Sequence, residues 1–146
     1  MMSPRTMVRD RIASEFQVLR EAESGRVPEF EVSLRWLSPE ETKRASTYCV
    51  IVTDETRTAA TLKVDNYQMT GAVVLYANDT RDARAKMDLM IEDAIEVLRR
   101  AFQALSGVIE RAMVESVTTT EASTAEADWP QAVIRWTALH RREAMV

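Results

Sequence analysis

The residues best placed to do chemistry are a row of carboxylates in one segment of the chain. Asp88, Glu92 and Glu96 follow one another at intervals of four residues, and Asp93 lies beside them. In a helix this spacing puts the carboxylates on one face, where paired acids could hold a divalent cation or act in acid–base catalysis. A solvated helix face is the commoner origin of such a row, and the arginine pair that follows Glu96 offsets its charge. We therefore expect no catalytic residue and no metal site here.

Other groups capable of chemistry are sparse. His140 stands beside two arginines, without a nucleophile or an acidic partner nearby in sequence, so an exposed or structural role is expected. Cys49 lies in the apolar run 48–52 and should behave as a small buried hydrophobe. The three glycines are far apart, which excludes a glycine-rich phosphate loop. The sequence thus predicts neither an enzyme nor a cofactor.

Length, composition and charge favour one soluble globular domain over a membrane protein or a protein that adheres to nucleic acid. A chain of 146 residues with 46% apolar residues can bury a core of its own. No stretch approaches the roughly 20 apolar residues of a membrane span, and the N-terminus lacks the apolar core of a secretory signal. The net charge of −4 disfavours adhesion to nucleic acid, although an acidic lining would let DNA pass. We expect a single domain over residues 1–146, made in a cytoplasm.

Two helices are predicted from apolar residues at helical spacing. In the first helix, Ser3 and Pro4 give a start signal and Gly25 a stop. The second begins after capping residues 78–80 and ends at residues 106–107. The repeating apolar positions are Val8, Ile12, Phe16 and Leu19 in the first helix, and Met87, Ile91, Ala94, Ile95, Leu98, Ala101, Phe102 and Leu105 in the second.

Strands are predicted before and after the second helix. Residues 29–36 alternate polar and apolar, which places Phe30, Val32, Leu34 and Trp36 on one buried face. A charged connection, residues 38–44, leads to short strands at 47–53, 60–64 and 72–76, with turns at 54–57 and 65–66. Further strands are expected at 108–117 and 132–139. Strands in succession with helices packed on them indicate an α+β domain, with a mostly antiparallel sheet and two main helices.

Two segments near the C-terminus are predicted to lie outside this framework. Residues 118–128 (TTTEASTAEAD) contain no large apolar side chain, so they should form a mobile loop or a long hairpin tip. Residues 140–146 are expected to form a polar tail. The tryptophans at positions 36, 129 and 136 are expected in the core more often than on a contact surface, although aromatic residues are also favoured at the centres of interfaces.

Some local stretches resemble the tail terminator proteins, also called tail completion proteins, of long-tailed, non-contractile bacteriophages. Residues 71–79 (GAVVLYAND) lead into residues 84–95 (RAKMDLMIEDAI), which is similar to the central strand-to-helix unit of that family. The opening helix, with VRDRI at residues 8–12, resembles the start of the family. The order of elements is similar along nearly the whole chain.

The resemblance implies a structural virion protein of the tail or neck, assembled in the bacterial host cytoplasm. Such subunits form a hexameric ring on the last ring of the tail tube, stop its growth and present the surface to which the head connector docks. They have no catalytic residues and no cofactor, and DNA passes through the lumen without specific binding. We expect contacts with neighbouring rings in the charged connection and in the loop, at Pro39, Glu40, Glu41, Lys43, Arg44, Thr119, Thr120, Glu121 and Glu126.

Three alternatives stay open at this point. The first is another neck component, either a head-completion or a connector protein. The second is an enzyme that uses the acidic row, such as a metal-assisted hydrolase, which would bind a divalent metal through Asp88 and Glu92. The third is a small cytoplasmic module that binds a ligand or peptide, runs as a dimer and never forms a ring.

Overall fold

In the computed structural model, two helices pack on one face of a five-stranded sheet. The structure describes residues 3–22, 24–27, 29–42, 45–60, 64–78, 82–123 and 128–143. This architecture confirms the predicted α+β class. The elements in chain order are helix α1 (Pro4–Glu21), strand β1 (Glu31–Ser33), a 3₁₀ turn (Pro39–Thr42), strands β2 (Thr47–Ala60) and β3 (Val64–Tyr76), helix α2 (Ala83–Ala104), and strands β4 (Ile109–Ser123) and β5 (Asp128–Glu143).

The sheet has the strand order β1-β2-β3-β5-β4, so β1 and β4 form its two edges. β1 runs parallel to β2, and every other pair is antiparallel. The long hairpins β2–β3 and β4–β5 make up most of the sheet, and β3 pairs with β5 along its whole length. The mostly antiparallel sheet of the prediction is therefore confirmed.

Helix α1 follows its sequence signals closely. The Ser3 hydroxyl accepts a hydrogen bond from the Thr6 amide at 3.2 Å, which caps the first turn. Each apolar position predicted for the helix is buried, namely Val8, Ile12, Phe16 and Leu19. Phe16 stacks on Tyr48 of β2 with ring centroids 4.3 Å apart, so the helix is fixed to the sheet by aromatic packing.

Helix α2 is capped by Asp82, whose carboxylate accepts from the Ala85 amide at 3.0 Å. Its buried residues are Met87, Met90, Asp93, Ala94, Val97, Leu98 and Ala101. Most of the predicted apolar row is buried, but the buried face of the helix is rotated relative to that row. Ile95 is 38% exposed, while Val97 and Met90 face the core. The buried carboxylate of Asp93 was not expected.

The strand predicted at 29–36 is wrong beyond Ser33. Only Glu31–Ser33 pairs with β2. The Ser33 hydroxyl accepts from the Arg35 amide at 3.2 Å and donates to the Arg35 carbonyl at 3.0 Å, which turns the chain away from the sheet. Leu34 and Trp36, predicted to share a buried face, are 47% and 52% exposed.

The turns predicted at 54–57 and 65–66 are also wrong. β2 runs unbroken to Ala60, with bulges between Val52 and Asp54 and between Arg57 and Ala59, and β3 begins at Val64. Exposed polar residues such as Asp54 remain in the strand because their backbone stays paired with β3. One long hairpin therefore replaces the three short strands of the prediction.

The second hairpin is likewise longer than predicted. β4 continues to Ser123 and β5 begins at Asp128, so both strands enter the segment predicted as a loop or hairpin tip. Residues 124–127 lie outside the described residues, and the predicted mobility of the segment stays a prediction. The tail predicted from residue 140 is wrong up to Glu143, because β5 extends to that residue and His140 is buried. A threonine-rich segment can form a paired strand even when it has no large apolar side chain, because β-branching favours extended backbone.

The core fills the space between the helices and the sheet. Trp136 of β5 lies over Gly71 of β3, its partner in the register, and is fully buried. A β-carbon at Gly71 would fall 2.2 Å from Cζ2 of Trp136 and 2.5 Å from the Ile51 carbonyl oxygen, so only glycine fits. On the opposite face a small cluster of Cys49, Val74 and Tyr76 packs with Leu37.

Candidate interface sites at the two sheet edges

The acidic row predicted as the best catalytic candidate is largely occupied by Arg26. Its guanidinium contacts carboxylate oxygens of Glu92 at 3.2 Å, Asp93 at 2.9 Å and Glu96 at 3.2 Å. Asp93, only 1% exposed, also accepts from the backbone amides of Arg26 at 2.9 Å and Val27 at 3.3 Å. These bonds join α2 to the connection between α1 and β1. The row therefore holds the fold together in this region.

The electrostatics of the row match this structural role. The hydrogen bond from Arg26 lowers the pKa of Glu96 below its ordinary value, and the same bond raises the pKa of Arg26. Asp88 stands apart from Arg26, in a depression that Thr119 and Thr120 also line. Among the described residues, no three His, Cys, Asp or Glu side chains are arranged to hold a metal ion.

His140 and Cys49 are both in the interior. The Nε2 atom of His140 lies 3.1 Å from a carboxylate oxygen of Glu55, and its ring stacks on Tyr67 with centroids 5.3 Å apart. Burial of Cys49 raises the pKa of its thiol, as expected for an unreactive thiol packed among apolar side chains. The exposed alternative for His140 is wrong, and the buried position predicted for Cys49 is confirmed.

The first candidate interface lies in residues 34–37, which leave the sheet after β1 and contact Tyr76 of β3. The indole Nε1–H of Trp36 donates to the Tyr76 hydroxyl at 3.1 Å, and that hydroxyl donates to the Leu37 carbonyl at 2.9 Å. Burial raises the pKa of Tyr76, which keeps its hydroxyl protonated as a donor. The ring of Trp36 is thus held in place while half its surface faces solvent. We call Trp36 the aromatic knob, whereas Leu34 lines a separate depression beside Arg5 and Val52.

The charged connection predicted as an interface begins beside the knob. Pro39, Glu40 and Glu41 form most of the 3₁₀ turn, where both glutamates are exposed. Glu41 accepts from the Ser38 amide at 2.8 Å and from the Arg35 guanidinium at 3.0 Å, and these bonds lower its pKa. Lys43 and Arg44, predicted with them, lie outside the described residues.

The second candidate interface lies at the β4 edge. A groove of about 360 Å³ runs between the C-terminal half of α2 and β4. Its apolar lining includes Ile95, Phe102, Ala112, Met113 and Val114. Met113 is 55% exposed, and the nearby Val117 of β4 is 42% exposed. Arg99 and Arg111 give the groove a basic rim, with Glu110 as its acidic residue. We call this feature the edge groove.

The predicted contact residues of the second hairpin lie at its far end. Thr119 and Thr120 are exposed on β4, where they pair with Ala132 and Gln131, and Glu121 pairs with Pro130. Glu126 lies outside the described residues. The 3₁₀ turn, which precedes Thr47, and this hairpin lie at the same end of the sheet, but three strand-to-strand steps separate β2 from β4, so the structure does not bring the two predicted contact regions into contact.

Sequence reasoning missed the knob and the groove as interaction surfaces. Trp36 continues an alternating pattern, which predicts burial, and no local signal marks the end of the strand at Ser33. Met113 and Ile95 are apolar residues in amphipathic elements, and only the tertiary arrangement shows that they lie at the exposed margin of the core. A tryptophan followed by the turn-forming residues 38–39 was the one signal available.

No model of a known protein family matches the chain, and the search of curated proteins found no match either. Neither described helix is long and apolar enough to cross a membrane.

Proposed function

We propose that the chain is the subunit of a hexameric ring that caps the tail tube of a long-tailed bacteriophage or phage-derived particle. In that role it stops the growth of the tube and offers the surface to which the head–tail connector docks. It acts without catalysis or a cofactor, in the tail or neck of the virion, after assembly in the host cytoplasm.

The observation that supports this proposal best is the presence of two different exposed apolar features on one subunit. An exposed aromatic knob lies where the chain leaves β1 and reaches Tyr76 of β3, and an apolar groove lies between α2 and β4. Rings require a heterologous interface, in which one patch of a subunit meets a different patch of its neighbour. A two-fold dimer would instead need each feature to meet its counterpart reciprocally across one axis. Two exposed apolar features in different places suit head-to-tail association.

The exposed ends of the molecule fit contacts along the axis of the tail. The 3₁₀ turn and the end of the β4–β5 hairpin are rich in exposed polar side chains, including Glu40, Glu41, Thr119 and Thr120. Polar surfaces of this kind suit contacts that form only during assembly. We assign both to contacts with the tail tube protein or the connector on one face of the ring, because Thr47, which follows the turn, lies in one cross-strand row with Tyr76, Gln131 and Thr120. The net charge of −4 suits a lumen that DNA traverses without binding.

The contacts between Arg26 and the acidic row weaken the enzymatic alternative. A hydrolase of the predicted kind needs Glu92 free to bind a metal or substrate, whereas Arg26 engages that residue together with Asp93. A second candidate function, a module that binds a peptide or small ligand, is favoured by the edge groove alone.

Light scattering over a wide concentration range, followed by negative-stain imaging, tests the proposal. Six-fold rings, formed by the protein alone or on added tail tubes, are the expected result. A compact dimer at every concentration, with no particle on the tubes, would refute the ring and favour the binding module. Rings that bind connectors but never tubes would identify another neck component.

A further inference from the structure

Residues 34–42, which we call the strap, lie across the outer face of the sheet, opposite to the helices. Leu37 of the strap packs there against the buried cluster of Cys49, Val74 and Tyr76. Cys49 and Val74 are partners in the β2–β3 register, so the cluster forms an apolar strip that crosses the strands. The strip is buried, whereas most of the strap is exposed. A short segment between β1 and β2 therefore keeps this strip out of water.

The residues on either side of the strap are fixed to the sheet. Before the strap, Ser33 pairs with Cys49 in the β1–β2 register. After it, the Ser46 hydroxyl accepts from the Asn78 amide at 2.9 Å, and the Ser46 carbonyl accepts from the Glu31 amide at 2.9 Å. The strap thus spans two anchored points, and its middle can leave the sheet while both points stay in place.

The strap keeps its shape through hydrogen bonds of its own. The Glu41 carboxylate accepts from the Arg35 guanidinium at 3.0 Å and from the Ser38 amide at 2.8 Å. The Glu41 amide donates to the Ser38 carbonyl at 3.1 Å, and the Thr42 hydroxyl donates to the Pro39 carbonyl at 2.9 Å. These bonds join residues of the strap to one another, so they remain formed when the strap leaves the sheet.

A tyrosine hydroxyl supplies two hydrogen bonds between the strap and the sheet. The Tyr76 hydroxyl donates to the Leu37 carbonyl at 2.9 Å and accepts from the Trp36 indole N–H at 3.1 Å. Trp36 is 52% exposed, so water can replace its bond when the strap moves away. Detaching the strap breaks these bonds and the packing of Leu37, but it leaves the β2–β3 and β3–β5 ladders intact. It therefore costs much less than unfolding the protein.

We propose that the strap swings away from the sheet in the folded protein, with the Tyr76 hydroxyl as its latch, and exposes the strip of Cys49 and Val74 to solvent. The two anchored points and the helices stay in place, and the strap closes again on the same contacts. This opening goes beyond the proposed function, because it takes place in the isolated chain and does not depend on a ring.

The opening also connects the proposed assembly contact to the strip. The strap contains the 3₁₀ turn, whose exposed glutamates at positions 40 and 41 are assigned above to contacts with the tube protein or the connector. A partner that binds the turn more tightly in one form of the strap shifts the balance between the closed and open forms. This consequence rests on the proposed function, whereas the opening itself does not.

The reactivity of Cys49 measures the opening. It is the one cysteine of the chain, and in the closed form it is fully buried under the strap, with the pKa of its thiol raised by burial. The rate of its reaction with the disulfide reagent DTNB is measured in native buffer and at low urea concentrations. Because opening exposes little surface, the rate should depend only weakly on urea below the unfolding transition. A rate that rises steeply over that range, in parallel with global unfolding, would overturn the proposal.

Conservative variants of the latch should accelerate the reaction. Tyr76→Phe keeps the buried ring and removes both hydrogen bonds, so the rate should rise about tenfold. Trp36→Phe removes the indole donor alone and should raise the rate about threefold. A folded Tyr76→Phe protein that reacts at the wild-type rate would show that the hydroxyl is not a latch.

Val97→Ala is the matched control, because it weakens the fold without touching the strap. Val97 is 1% exposed in the core between α2 and the other face of the sheet. Its substitution lowers global stability, but the rate for Cys49 without urea should stay within about twofold of wild type, since the two sites are independent. An increase of about tenfold or more would mean that Cys49 reacts through global unfolding and would overturn the strap. Ring formation does not enter these measurements, so failure of the proposed function would leave their result unchanged.

Discussion

Replacing Asp93 by alanine should destabilise the protein strongly, although the residue belongs to a row of charges that resembles an ordinary solvated helix face. Asp93 is 1% exposed and accepts from two backbone amides, at 2.9 Å from Arg26 and 3.3 Å from Val27. The substitution leaves both amides without this acceptor. The region between α1 and β1 then loses its attachment to α2.

The expected loss follows from the burial of those amides. A buried amide without an acceptor costs about 1–3 kcal/mol. Val27 is 2% exposed, so water reaches its amide poorly, whereas the Arg26 amide is only partly buried. The guanidinium of Arg26 is 41% exposed and regains hydration, so we assign it no share. The free energy of unfolding should fall by about 2–4 kcal/mol.

Urea unfolding followed by tryptophan fluorescence measures this change. With an m-value of about 2 kcal/mol/M, the midpoint should fall by about 1–2 M at unchanged slope. Asp88→Ala is the matched control, since it removes an exposed carboxylate from the same helix, and it should change stability by less than about 0.5 kcal/mol. A loss below about 0.5 kcal/mol in Asp93→Ala would refute the structural role of the row.

Further predictions concern packing and charge. Gly71→Ala should cost about 3 kcal/mol or more in thermal or urea unfolding, because the new β-carbon overlaps Trp136 and a backbone oxygen, and wild-type stability would contradict the observed packing. Tyr48→Phe should leave the free energy of unfolding unchanged or raise it by up to about 1 kcal/mol, since the Tyr48 hydroxyl has no hydrogen-bond partner among the described residues; a clear loss would contradict this. Glu96→Gln should lower the urea midpoint at neutral pH, because Arg26 lowers the pKa of Glu96 in the folded state and that stabilisation is present above the ordinary value of 4.5. The difference from wild type should vanish as the pH falls below 4.5 through the folded-state pKa, and an equal difference at pH 3 and pH 7 would contradict it.

The helices could be predicted because their information is local. In α1 the period of the apolar residues and the capping serine both lie within the segment, and Val8 through Leu19 are buried as expected. The buried carboxylate of Asp93 could not be predicted, because its main partner, Arg26, lies 67 positions away along the chain. A charged residue in a helix is ordinarily exposed, and only the tertiary fold shows the exception.

The long hairpins were mispredicted because, in a β-rich sequence, polar residues occur both in turns and at the exposed positions of strands. Asp54 and its neighbours resemble a turn, yet they continue a strand that stays paired at its exposed end. The threonines before Ser123 resemble a loop for the same reason. Conversely, Trp36 resembles a core residue of a strand, whereas the turn at Ser33 places it at the surface. The knob and groove therefore emerge only from the fold.

The growth of tail tubes in the presence of the protein tests the central claim most directly. Tube protein encoded by the same genome is polymerised with increasing amounts of wild-type chain, and tube lengths and ends are measured by electron microscopy. The proposed ring predicts that tubes shorten as the protein is added and that each stopped end carries one six-fold ring. Tubes of unchanged length with bare ends, at a concentration where the protein is folded, would contradict it.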